Sequence, residues 1–314
     1  MTTRREIMSK PLLQRLERAS GPNTCQYVTE TDRGHFLVQV AWPLNWSESG
    51  VPPPNDETPQ TLFVVDGNAY FYTAVEIARR MEYLSNTRTV VVGIGYPITH
   101  AVYDFRRGPD LTPASPDGSY EMPLNRNGKP RTDISFGQAK EHLDFIRGKV
   151  MEDLYNTLLP LPELKTGRKA LYGHSYGGIF VLYALFTAPT LFNTYIAASP
   201  IVWWNKHFLV THLEPPFREQ KTSPEPRPSL LMTHGHCQQD ITQQEGETDE
   251  RFKKRLGIAE VDAMREGVLA MAARLVESGQ LTKVLTHEFP EEDHGSAAVT
   301  GLQLGIMQFL RGRL

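Results

Sequence analysis

From Cys25 to Trp42 apolar and polar residues alternate. Tyr27, Val28, Phe36, Val38 and Val40 are set against Leu37 and Gln39, and Asp32-Arg33-Gly34 stands between the halves. Alternation around a turn-forming triplet predicts a β-hairpin. From Thr61 the pattern changes. Thr61 to Asp66 (TLFVVD) and Arg88 to Ile94 are unbroken apolar runs. Such runs mark strands buried on both faces. Helix-period segments lie between or after the runs at 70–85, 136–159, 176–187, 259–278 and 296–311, and further strands are predicted at 168–172, 194–198, 229–233 and 283–289. Strands alternating with helices imply an α/β fold, a mostly parallel sheet covered on both faces. The reading is an arm over 1–23 followed by one domain over 24–314, with the hairpin as its antiparallel edge.

Three segments interrupt the alternation. Residues 99–135 are rich in Pro, Gly and charge, 214–228 are Pro-rich, and 238–255 are almost wholly polar. Long loops in a compact domain serve function or are solvated insertions. These follow predicted strands, and open α/β sheets bind ligands beyond the carboxyl ends of their strands.

Composition narrows the function classes. Lys and Arg total 33 against 36 Asp and Glu, a formal net charge of -3. That balance argues against a nucleic-acid partner. No apolar run approaches the ~18 residues of a membrane span. The first sixteen residues are broken by Arg4, Arg5, Glu6, Lys10 and Arg15, without an apolar secretory core, so a cytoplasmic, intracellular location is expected. Cys25 and Cys237 are too few for a disulfide framework or a cysteine zinc site, and neither metal nor organic cofactor is expected.

The chemistry is carried by Gly173-His174-Ser175-Tyr176-Gly177, a G-x-S-x-G sequence between a predicted strand and a predicted helix. This is the setting of a nucleophile elbow, where a serine on a sharp turn holds its hydroxyl out into a cleft. The flanking glycines allow strand and helix to approach closely. The N–H of Tyr176, at a helix start, can donate to an oxyanion. A serine needs a base at neutral pH, and in this fold the base follows nucleophile and acid in chain order. His294, between the last predicted strand and helix, fits that place. His234 and His236 also follow a strand, whereas His287 lies within one. Asp240 is the first carboxylate after the 229–233 strand and is the candidate acid, against a solvated loop acid or a Ser–His pair without one. The second oxyanion donor comes from Asp66-Gly67-Asn68, through the N–H of Gly67 or Asn68, unless this is a simple strand-ending turn.

Six stretches together resemble the Putative esterase (esterase D-like) branch of the α/β-hydrolases: Val65 to Phe71, Gly93 to Tyr96, Arg106-Arg107 through Asp110-Leu111-Thr112-Pro113, Gly173 to Gly178, Ala198-Ser199-Pro200 with Trp203-Trp204-Asn205, and Glu292 to Ser296. Within it the chain looks like the siderophore esterases, which cleave ester bonds of ferric triscatecholate or fungal fusarinine-type siderophores to release iron in the cell. The resemblance implies an α/β-hydrolase fold, Ser175 as nucleophile, His294 as base, and Tyr176 with Gly67 as oxyanion donors. Where relatives tend to carry Gly-Glu-x-Glu, this chain has Gly235-His236-Cys237-Gln238, so the acid does not carry over.

Arg106 and Arg107 are candidate ligands for an anionic substrate, or members of a solvated loop. Trp203 and Trp204 are a candidate apolar wall for a bulky substrate, or core residues. Five basic and five acidic residues between Tyr103 and Asp133 make no strongly positive patch. A ferric triscatecholate is a trianion and a ferric trihydroxamate is neutral, so a fusarinine-type triester is the favoured partner. A general carboxylesterase or thioesterase, acting on S-formylglutathione or feruloyl esters, is the alternative.

Overall fold

The protein is described by a computed structural model covering residues 17–18, 21–123, 129–236, 243, 246–252 and 264–314. Among the described residues nine strands form one sheet: β1 (Glu17–Arg18), β2 (Thr24–Thr31), β3 (Gly34–Ala41), β4 (Gln60–Val65), β5 (Thr89–Gly95), β6 (Lys169–His174), β7 (Thr194–Ala198), β8 (Ser229–Gly235) and β9 (Lys283–Phe289). Their spatial order is β1-β2-β3-β5-β4-β6-β7-β8-β9. From β5 to β9 all neighbours run parallel, and β1, β2 and β3 form the antiparallel edge. The expected hairpin is present, with Thr31 opposite Gly34 at its turn.

Five longer helices cover the sheet. α1 (Gly67–Ser85) and α5 (Ser296–Leu310) pack on one face. α2 (Ala139–Phe145), α3 (Tyr176–Thr187) and α4 (Met264–Ser278) pack on the other. The continuous apolar runs acquire their meaning here. In β4, Leu62 and Val64 face the first layer while Phe63 and Val65 face the second, all fully buried. Successive side chains of a strand point to opposite faces, so a strand covered twice is apolar at every position. The fold is that of an α/β-hydrolase.

Two regions differ from the periodicity reading. Beyond α2 the helical path to Leu158 includes two π-helical segments, Ile146–Val150 and Leu154–Leu158. The Pro-rich segment also begins as helix: turns at Trp204–Phe208 and Leu209–Leu213 lead into Glu214–Arg218. Pro215 and Pro216 stand in the first turn, where a missing N–H costs no intrahelical bond. Glu214 is completely buried and accepts from Arg274 of α4 at 2.5 and 2.7 Å, pinning this turn to the layer beneath.

Candidate active site

Asp66, Ser175 and His294 all follow carboxyl ends of strands, at β4, β6 and β9. Ser175 bridges β6 and α3 with φ 60° and ψ -114°, a conformation costly for a residue with a side chain. Its N–H donates to the Ala198 carbonyl on β7 at 3.0 Å, and its own carbonyl accepts from Ile179. Gly173 makes the bend possible, since a Cβ there would lie 2.3 Å from the Gly177 carbonyl oxygen. Ser175 is half-buried at the head of α3. This is the strand–turn–helix elbow that the motif predicts.

The β4–α1 turn abuts the elbow. Asp66 takes a left-handed conformation, φ 54°, and its carbonyl accepts from Ala69 and Tyr70. The N–H groups of Gly67 and Asn68 therefore open the helix without an intrahelical acceptor, as does that of Tyr176 at the head of α3. Two helix starts that meet at the elbow bring together positive ends of the kind that stabilise an oxyanion. The Asn68 side chain is occupied elsewhere. It donates to the Tyr96 carbonyl at 2.8 Å and accepts from the Tyr96 N–H at 2.7 Å, tying α1 to the end of β5.

Asp66 is nearly fully buried, and its carboxylate meets Arg107 in a two-pronged pair at 3.0 and 2.9 Å. The guanidinium also lies over the rings of Tyr103 and Tyr176, at 4.7 and 5.2 Å from their centroids. Burial alone would lower its pKa, but Asp66 reverses this and raises it above the ordinary arginine value.

His294 is half-buried in the loop between β9 and α5. Its imidazole packs against that of His174, centroids 4.7 Å apart, so it lies beside the residue adjoining Ser175. Among the described residues no hydrogen bond joins Ser175 Oγ to His294. Such contacts are often long in ligand-free sites and tighten around the substrate. Burial lowers the His294 pKa, Asp293 opposes this and Arg107 adds to it. The neutral, proton-accepting form is thereby favoured. Gly235, at the end of β8, seats the loop: a Cβ there would lie 2.1 Å from the Glu292 carbonyl oxygen.

A scan of families matches residues 37–288 to the family described as Putative esterase. The chain belongs to that family. This esterase is 40% identical over 276 residues, 87% of its length and 89% of the relative's, to the siderophore enterobactin esterase of Emericella nidulans. It is 32% identical to the siderophore triacetylfusarinine C esterase of Aspergillus fumigatus, over 92% of its own chain and 93% of the other. Among solved structures it resembles the siderophore hydrolase EstA from Aspergillus nidulans, with TM-score 0.86 and 36% identity, covering 95% and 97% of the two chains.

The remaining candidates of the esterase occupy varied places. Asp240 lies outside the described residues. Asp293 is turned into its own loop, where Oδ1 accepts from the N–H groups of Gly295 and Ser296, both at 2.8 Å. Glu288, on β9, is engaged by His236 at 3.1 Å and Arg265 at 2.8 Å, with buried His234 3.8 Å away. Arg106 donates to the His35 carbonyl at 2.7 Å and lies over Phe36 and Tyr96. Its charge is thus applied to the hairpin. Trp204 is buried against Tyr120 and Phe136, and Trp203 is half-buried beside the core.

Three residues escaped the motif reading: His174, Tyr70 and Tyr103. They form one hydrogen-bonded string between α1, the elbow and the 99–135 insertion. The only signal in the sequence was that His174 sits inside the elbow motif and Tyr70 three residues after Gly67.

No helix among the described residues is long and apolar enough to cross a membrane, and no described cluster of His, Cys, Asp or Glu has the makings of a metal site.

Proposed function

We propose that this esterase hydrolyses the ester bonds of a siderophore, and that Ser175 and His294 carry the reaction. His294 takes the Ser175 proton as Oγ attacks the ester carbonyl. The tetrahedral oxyanion lies between the N–H of Tyr176 and that of Gly67 or Asn68. Protonated His294 then gives its proton to the departing alcohol, and water repeats the sequence to free the acid. Iron arrives within the substrate and leaves when the hydrolysed ligand loses its grip, inside the cell.

The observation that carries this reading is Ser175 itself, held at φ 60° on the β6–α3 turn beside the His294 loop. The names of the two relatives, whose alignments cover 87% and 92% of this chain, support the substrate class. Within that class a neutral fusarinine-type hydroxamate triester is favoured. The charges of Arg106 and Arg107 serve His35 and Asp66, which leaves neither side chain committed to a trianion. The relative of greater identity favours an enterobactin-type triester as the second reading.

The test is mass-spectrometric hydrolysis of triacetylfusarinine C and enterobactin, each iron-loaded and iron-free, against short p-nitrophenyl esters. Ferric triacetylfusarinine C should be cleaved with the highest kcat/KM. Faster cleavage of enterobactin selects the second reading, and turnover confined to p-nitrophenyl esters refutes both. Ser175→Ala should abolish turnover while substrate still binds; residual activity near wild type would remove Ser175 from its role.

A further inference from the structure

We propose that His174 and Tyr70 are positioning residues for the base: a directed hydrogen-bond chain from Tyr103 through Tyr70 and His174 ends on the main-chain carbonyl of His294 and holds that imidazole toward Ser175. The inference rests on the Ser175–His294 reading above and adds how the base is held.

The chain is continuous. His174 Nε2 lies 2.7 Å from the His294 carbonyl oxygen. The Tyr70 hydroxyl lies 3.2 Å from His174 Nδ1, and the Tyr103 hydroxyl meets that of Tyr70. Each link has one permitted direction. A carbonyl oxygen only accepts, so His174 Nε2 carries the ring proton. Nδ1 of the neutral ring then presents a lone pair and accepts from Tyr70. Tyr70 has a single proton, already given to His174, so Tyr103 donates to Tyr70.

His174 and Tyr70 are 5% and 4% exposed, and burial, with His294 and then Arg107 adding and the bond to the His294 carbonyl opposing, pushes His174 down to about 3. The ring is therefore neutral over the working range, with one tautomer and one pattern of bonds. The ring also lies against that of His294, tilted by 48°. Both nitrogens are engaged, which excludes His174 as the base itself.

In a triad the carboxylate fixes the orientation of the imidazole. Among the described residues no carboxylate is hydrogen-bonded to the His294 ring, and Asp293 is committed to Gly295 and Ser296. The carbonyl tie from His174 supplies orientation through the backbone. Tyr70 stands one turn after Gly67 on α1, so the same helix start offers an oxyanion donor and steadies the base loop. Tyr103 is 41% exposed on the 99–135 insertion, beneath the Arg107 guanidinium, so the chain begins on a surface loop.

The experiment compares wild type with His174→Phe, His174→Gln and Tyr70→Phe. Phe keeps ring volume without nitrogen, and Gln keeps an N–H donor near the Nε2 position. Three quantities are measured: kcat and KM for the siderophore ester, the rate of Ser175 labelling by a fluorophosphonate, and the urea midpoint. In His174→Phe, kcat and labelling rate should fall about a hundredfold with KM nearly unchanged, the cost of a misplaced catalytic group. His174→Gln should recover roughly tenfold of that loss, and Tyr70→Phe should slow labelling by about 3- to 10-fold. A folded His174→Phe that labels at the wild-type rate overturns the proposal, as does a His174→Gln no better than Phe. If His174→Phe does not fold, unchanged labelling of Tyr70→Phe overturns it. Labelling that persists in Ser175→Ala identifies a different failure, that of the nucleophile.

Discussion

Arg107 donates from Nε and Nη2 to the two oxygens of Asp66, 41 residues earlier in the chain. The carboxylate is almost without solvent, and the next two residues supply the candidate oxyanion N–H groups. The pair thus fixes the backbone at the start of α1. Replacing Arg107 by Leu strands a buried anion and should cost about 3–5 kcal/mol in urea denaturation. Lys should restore little, because a point charge does not reproduce the fork. In surviving protein kcat should drop more than KM rises. A variant as stable as wild type would show that the pair is not structural.

The proposed base should set the acid limb of activity. In that role His294 works only when neutral, and burial, aided by Arg107, holds its pKa below the ordinary value. A depressed pKa keeps the ring unprotonated to lower pH, so the acid limb of kcat/KM should have its midpoint below about 6.5. Asp293 opposes the shift, so Asp293→Asn should move the limb further toward acid. A wild-type limb above pH 7 would contradict the burial argument.

Stability should fall in the same direction through other histidines. His174 titrates near 3 in the folded protein, and burial holds His142 well below its ordinary value. In the unfolded chain both regain a pKa near 6.5. As pH drops from ~6.5 toward 3, the unfolded chain binds protons that the folded one refuses, and His174 alone contributes a slope of up to ~1.4 kcal/mol per pH unit. Urea midpoints at pH 7 and pH 5 test this. His142→Gln should flatten the slope.

Gly235→Ala tests how the His294 loop is seated. The added methyl would fall 2.1 Å from the Glu292 carbonyl oxygen, backbone that cannot turn aside as a side chain does. The loop must shift, and kcat should fall about tenfold or more while fluorophosphonate labelling slows in parallel. Wild-type kcat in the variant would mean that the loop position is not critical.

The sequence was most legible where the determining contacts are local. The elbow could be read because Gly173, Ser175 and Gly177 lie within five residues and the flanking strand and helix declare their own periods. The parallel strands could be read because double coverage writes itself as unbroken apolar runs. Tertiary contacts were opaque. Nothing in Arg106-Arg107 tells that one side chain serves the His35 carbonyl and the other Asp66. The proline pair after Glu214 looked like a breaker, yet a first helical turn tolerates it. His174 passed unnoticed because its partners, Tyr70 and the His294 carbonyl, are 104 and 120 residues distant.

The candidate site takes its parts from three strand ends that are remote in the chain: the turn after β4, the bend after β6 and the loop after β9. No fragment that stops before the last strand holds all three. On the proposed Ser175–His294 reading, a growing polypeptide stays chemically silent until the stretch that carries His294 has been made and has docked. Turnover would then certify that the far edge of the sheet, at β9, is in place.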